Sequence, residues 1–223
     1  MLAFRNCVLA AFVLAVATLY APRLAAKDEK GFAMPKPAEA GAYPAHDTNE
    51  KEKVAVAADP YDLPEKTQRV FRVKYNEEGL LPVLLVITND AGQPVALTRM
   101  QVELVTARRV KLRPATEDDV YRRIARQPMR GDRPSGNPLP FPRKVKRSLK
   151  KEELQEIQDS RFAAEAVEAH ATRAGFLFFD VQGLDNPLAG AHLYVSGLLN
   201  GQGQELIFFD IPLEKYVERA PVR

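Results

Sequence analysis

Short apolar-alternating runs set between turn signals predict a mainly β chain, an antiparallel sandwich interrupted once by helices. Three observations carry that reading. Between residues 67 and 216, about seven to nine short runs recur at the spacing of sandwich strands. The breaks between them hold Asn89-Asp90-Ala91-Gly92, Asp185-Asn186-Pro187 and Asn200-Gly201-Gln202-Gly203, residue types suited to tight turns and positive φ. The 223 residues are 46% apolar, with one cysteine and no tryptophan. A domain of roughly 150 residues can bury its core with that composition, without a disulfide.

Residues 1–26 read as a secretory signal. Arg5 supplies a positive start, residues 7–21 an apolar run, and Leu24-Ala25-Ala26 a small-residue cleavage site, so the mature chain begins near Lys27. About 15 apolar residues fall short of the roughly 20 that span a bilayer. Cys7 opens the apolar run, whereas a lipidated cysteine would follow it. Export to the periplasm or the outside is the expectation. Residues 27–66 are expected to be a linker: residues 27–53 are rich in Pro, Ala and charge, a composition that cannot offset the entropy of ordering. Residues 54–58 form a possible edge strand, ended by Asp59-Pro60 and Leu63-Pro64.

The expected sandwich covers 67–216, with 217–223 as a tail. In 67–75, Phe71, Val73 and Tyr75 alternate with Arg72 and Lys74, the pattern of a half-buried strand. Residues 80–88 are apolar on both faces and predict a central strand. Met100, Val102 and Leu104 alternate with Gln101 and Glu103, and Val110 and Leu112 continue the pattern. The sheet pattern resumes at 163–169 and 175–181, then at 191–199 and 204–211, the last run containing Leu206, Ile207, Phe208 and Phe209.

Residues 114–162 read as one insertion. Thr116 can cap a helix whose first turn holds Glu117, Asp118 and Asp119, where the helix dipole favours acids, and Pro128 should stop it by Gln127. Residues 128–142 carry five prolines and form an extended loop. Ser148 can cap a second helix from Leu149 to about Phe162, with Leu154, Ile157 and Phe162 as its apolar stripe.

Strand count, turn spacing and alternation together specify an immunoglobulin-like antiparallel sandwich with an inserted helix, Pro-rich loop and helix. The signal, the Pro-rich spacer and the late stretch VEAHATRAGFLFFDV (167–181), which runs through Gly175 into Phe176 and Phe179, resemble secreted bacterial immunoglobulin-like domains of unknown function. That resemblance covers 67–216 outside the insertion, implies the fold, and brings no catalytic residues with it.

Charge is the one unusual global property. The formal net charge is +3; loss of Arg5 and Arg23 with the signal would leave +1. Segment 108–151 holds 15 Lys or Arg against four acids, Glu117, Asp118, Asp119 and Asp132. It is therefore +11 on a remainder near −10. Arg143, Lys144, Lys146, Arg147, Lys150 and Lys151 form its densest part, preceded by Arg122, Arg123, Arg126, Arg130 and Arg133. Such clusters bind anionic polymers or surfaces in a salt-sensitive way, or else are solvated or docked on the protein's own acids. In an exported protein the partner would be an anionic envelope component or an acidic protein, not nucleic acid.

Other motifs carry less. The stretch 137–142, NPLPFP, fits an aromatic groove or a stiff connector, and Arg130-Gly131-Asp132 is too short to be specific. His46, His170 and His192 lack metal-ligand spacing. Ser135, Ser148, Ser160 and Ser196 lack a nucleophile elbow. The sequence thus points to a non-enzymatic binding module with no cofactor or metal, with a passive assembly subunit or an envelope hydrolase as rivals.

Overall fold

A computed structural model describes residues 32–125 and 148–214, all within the compact unit Gly31–Arg223. The fold is mainly β, built from antiparallel sheets with few helices. The first sheet has the order β1-β2-β3-β8, where β1 is His46–Asn49, β2 Val54–Pro60, β3 Leu80–Asn89 and β8 Ala171–Asp180. The second has the order β10-β9-β5-β6, with β5 Gln101–Val105, β6 Lys111–Leu112, β9 His192–Ser196 and β10 Phe209–Pro212. A two-stranded ladder joins β4 (Val95–Ala96) to β7 (Ala166–Val167).

β3 is the central element because each of its ten residues is buried. Alternate side chains on a strand point to opposite faces, so an apolar run of this kind requires cover on both sides. Leu81, Val83, Leu85 and Ile87 face the inner side of the second sheet, sharing a core with Leu104, Leu193, Val195, Phe209 and Ile211. Leu80, Leu84 and Val86 face the other way. They join Phe176 and Phe178 of β8 in a second core, closed by residues 61–75 and by two helices, α2 (Glu117–Ala125) and α3 (Lys151–Ser160). Phe71 is the hub of that outer core, with ring centroids 4.7 Å from Phe176 and 5.0 Å from Tyr75.

Several sequence expectations hold: the central strand at 80–88, the strand through Met100 to Leu104 and the helix capped at Thr116. Others are corrected. The expected edge strand at 54–58 is β2, an inner strand, because β1 pairs with it from His46↔Ala57 to Asn49↔Val54. Residues 40–49, assigned by composition to a linker, therefore belong to the fold, with Ala40 and Ala45 fully buried. Small apolar residues suffice there because the neighbouring sheet supplies the area.

The expected strand at 67–75 is absent. Phe71, Val73 and Tyr75 do point inward, but the segment holds a short helix, α1 (Pro64–Thr67), and a 3-10 turn, Tyr75–Glu78. Alternation reported burial correctly and ladder pairing incorrectly. Similarly, the run at 204–211 shortens to β10: Leu206 and Phe209 are buried, while Ile207 and Phe208 stand exposed. The run at 163–169 shortens to β7. The second helix begins at Lys151 with Lys150 at its N-cap, not at Ser148, and Leu154 is exposed.

Asn89 opens the turn 89–92 without itself taking a positive φ. It acts through its side chain instead. Fully buried, it donates from Nδ2 to the carbonyls of Gln93 (2.8 Å) and Val167 (3.1 Å), and its Oδ1 accepts the Ala91 N–H (3.0 Å). One amide thus closes the turn after β3 and holds β7 against it.

Gly175 has a steric explanation. On β8 it lies under the backbone of Phe162, whose N–H donates to the Phe176 carbonyl at 3.0 Å. A Cβ there would fall inside contact distance of the Phe162 Cα and N. Gly175→Ala should therefore destabilise the fold by about 1 to 3 kcal/mol, the usual cost of overpacking. Gly92→Ala, where a Cβ meets nothing within 4 Å, should change stability by less than about 0.5 kcal/mol. Urea unfolding of the two variants checks this contrast; equal midpoints would contradict it.

Candidate functional site

The helical layer carries part of the sequence-predicted charge, Arg122 and Arg123 on α2 and Lys150 and Lys151 at the start of α3, so its construction decides what those charges can do. α2 starts with reciprocal capping: Thr116 Oγ1 accepts the Asp119 N–H (3.2 Å), and Asp119 Oδ2 accepts the Thr116 hydroxyl (2.7 Å) and N–H (3.3 Å). These bonds hold the Asp119 carboxyl below the usual range. Val120, Ile124 and Ala125 face the sheet. Arg122 pairs with Asp119 at 3.0 Å. Arg123 reaches across to β8, pairing with Asp180 and donating to the Gln182 side-chain oxygen.

α3 closes its first turn through Glu153, which accepts the Lys150 N–H at 2.9 Å. Its buried side is Glu156, Ile157 and Ser160. Glu156 is 1% exposed and accepts the N–H of Arg72 through Oε2 (2.8 Å) and that of Val73 through Oε1 (3.1 Å). Burial raises its pKa, and those two hydrogen bonds oppose the rise. Within the alternating segment 71–75 this carboxylate, and not a neighbouring strand, takes the N–H groups of Arg72 and Val73. The Tyr75 hydroxyl lies fully buried beside Glu156, without a hydrogen bond of ordinary geometry among the described residues, and burial pushes its pKa well up. Sequence reading missed this pair; the only signal was an acid at an inward helical position.

Four of the six predicted site residues, Arg143, Lys144, Lys146 and Arg147, lie outside the described residues, as do Arg126, Arg130 and Arg133. Lys150 and Lys151 are exposed at the start of α3, and neither ammonium has an ion pair among the described residues. A cavity of about 380 Å³ beside α2 is lined by Arg113, Arg122, Arg123, Asp119 and Asp180. Its guanidiniums are largely answered by carboxylates, since Arg113 also lies 3.6 Å from Glu103. A neighbouring cavity of about 420 Å³ runs past Met100, Val102, Pro114 and Leu177.

The histidines occupy ordinary positions. His46 Nδ1 lies 2.6 Å from the Tyr43 carbonyl oxygen, and His170 is at a positive-φ turn before β8. His192 Nδ1 is 2.6 Å from Asp210 Oδ1 on the outer face of the second sheet. Sequence reading left Asp210 out, because the pair forms only through the β9–β10 register. Among the described residues no three His, Cys, Asp or Glu side chains converge as metal ligands. No described helix is long and apolar enough to cross a membrane.

No protein-family model matches the chain, and comparison with curated proteins gives no match. Among solved structures, a conserved hypothetical protein from Bacillus anthracis is 11% identical over 75% of this chain and 95% of that one. Its TM-score of 0.30 is too low to carry an argument about fold or function.

The Glu156 latch has a defined pH signature. Its folded-state pKa is raised, so the folded protein binds that proton more tightly than the unfolded chain. Its contribution to stability is greatest in acid and falls as pH rises through the folded pKa. Glu156→Gln should remove that component, seen as a wild-type-minus-variant difference that declines with pH in urea unfolding. A pH-independent difference would contradict this.

Proposed function

We propose that the chain is an exported, non-enzymatic binding module, periplasmic or extracellular, whose basic insertion contacts an anionic envelope component or an acidic partner. One observation carries the reading: the insertion's helices form a pinned layer, with cations left on its solvent side. Ile157 and Glu156 fasten α3 to the first sheet, while Lys150 and Lys151 remain exposed with no ion pair among the described residues. Arg143, Lys144, Lys146 and Arg147 precede them in sequence. Cations held on a rigid base, as Lys150 and Lys151 are, lose little conformational freedom on docking.

An immunoglobulin-like arrangement fits the same reading. The order β2-β3-β8 matches strands A-B-E of that fold, and β10-β9-β5-β6 matches G-F-C-C′. The insertion then stands where strand D would run, and β1 is an added edge. A non-enzymatic role is supported by the two carboxylates whose pKa values burial raises. Glu156 is sealed under α3, and Asp59 is paired with Lys66 at 2.5 Å.

The test is co-sedimentation with vesicles of anionic phospholipid, and separately with envelope fractions, at low and high salt. The comparison is a variant with Arg143, Lys144, Lys146, Arg147, Lys150 and Lys151 changed to Gln. Each cation near an anionic lipid surface contributes about 1 kcal/mol, so the variant should bind at least about tenfold more weakly. High salt should have the same effect on the wild type. Association indifferent to both would refute the assignment.

A further inference from the structure

The first described residues form an arm that is held unlike the rest of the fold. Residues 32–39 belong to no helix or strand. Among the described residues no hydrogen bond joins 32–37 to the fold; the first, from the Ala38 N–H to the Tyr43 hydroxyl, is 3.3 Å long. Side-chain packing holds the arm instead. Phe32 stacks on Phe71, with ring centroids 5.6 Å apart and planes inclined by 23°. Phe32, Pro35 and Pro37 are half-buried, while Ala33, Met34, Lys36 and Ala38 are exposed.

The seat under the arm is aromatic. Phe71 lies against Tyr61, edge-on at 6.3 Å, and Tyr43 packs on the same core. The arm has the chemistry that such walls select. Proline holds φ at about −65° and biases the residue before it to extended backbone, so Met34-Pro35-Lys36-Pro37 is set toward the polyproline form. Glu39, at φ −60° and ψ 146°, continues it. A preformed extended segment loses little entropy when its inward side chains enter an aromatic-lined groove. Because the arm contributes nothing to a ladder, its departure leaves the strand pairing of both sheets in place.

We propose that the groove walled by Phe71, Tyr61 and Tyr43 is a binding site for extended peptides that carry an aromatic residue three positions ahead of Pro-x-Pro, and that residues 32–37 are its tethered occupant. The class of ligand is identified by the arm itself, which fills the seat. A partner segment of that pattern enters by displacing Phe32, so the arm sets the threshold for binding. None of these residues lies in the basic insertion, and the inference does not rest on the anion-binding reading.

Fluorescence anisotropy of a labelled peptide with the sequence of residues 30–39, KGFAMPKPAE, tests this, with circular dichroism checking the fold of each variant. Phe32→Ser with Pro35→Ser empties the seat, and this variant should bind the peptide. The wild type should bind it at least about tenfold more weakly, because a tethered occupant competes at a millimolar effective concentration. Phe32→Leu, which keeps an apolar side chain in the seat and so retains the fold should the double variant lose it, should fall between the two. The same peptide with Ser in place of its Phe should bind none of the three. Equal affinity for wild type and variants, no binding by a folded variant, or undiminished binding of the Ser peptide would overturn the proposal.

Discussion

The structure depends on β3 being buried along both faces. A strand of Leu80, Leu81, Val83, Leu84, Leu85, Val86 and Ile87 has no solvent-compatible side, and burying each such side chain contributes roughly 1.5 to 3 kcal/mol. One face is covered by the second sheet. The other needs a third layer, and the chain supplies it from two places, the segment after β2 and the insertion after β6. The insertion therefore belongs to the core as much as the strands do. Its helices are short and polar outward because they are held by packing and not by their own propensity.

The joint between the two parts of that layer is polar. Residues 71–73 run close to α3 without a strand partner, and backbone N–H groups buried there would be costly if unpaired. Glu156 accepts two of them. The price of this arrangement is a buried carboxylate with a raised pKa. Arg123 and Asp180 make the corresponding, more exposed link between α2 and the end of β8.

Much of the architecture was legible from alternation and turn chemistry. Leu80 to Thr88, apolar on both faces, read as a central strand, and Thr116 followed by three acids read as the start of a helix. What escaped was set by partners distant in sequence. Residues 46–49 look like linker by composition and become a strand because β2 offers them an edge. Phe71, Val73 and Tyr75 alternate like a strand, but the N–H groups of Arg72 and Val73 go to an acid more than 80 residues away. Ile207 and Phe208 read as core because hydrophobicity does not tell which sheet face lacks a cover. For the candidate site, the sequence located the charged segment, and it could not reveal that the helices bearing Lys150 and Lys151 form a fixed layer or that His192 meets Asp210 across a strand register.

The most direct test of this account removes the third layer. Arg161 Nη1 donates to the Ala115 carbonyl at 3.1 Å, so a short Gly-Ser bridge can join those residues in place of 116–160. If β3 needs cover on both faces, the shortened chain will lose cooperative urea unfolding followed by circular dichroism and will bind a dye specific for exposed apolar surface. A shortened chain that unfolds cooperatively at the wild-type midpoint would contradict the account, leaving the insertion an accessory to a self-sufficient pair of sheets.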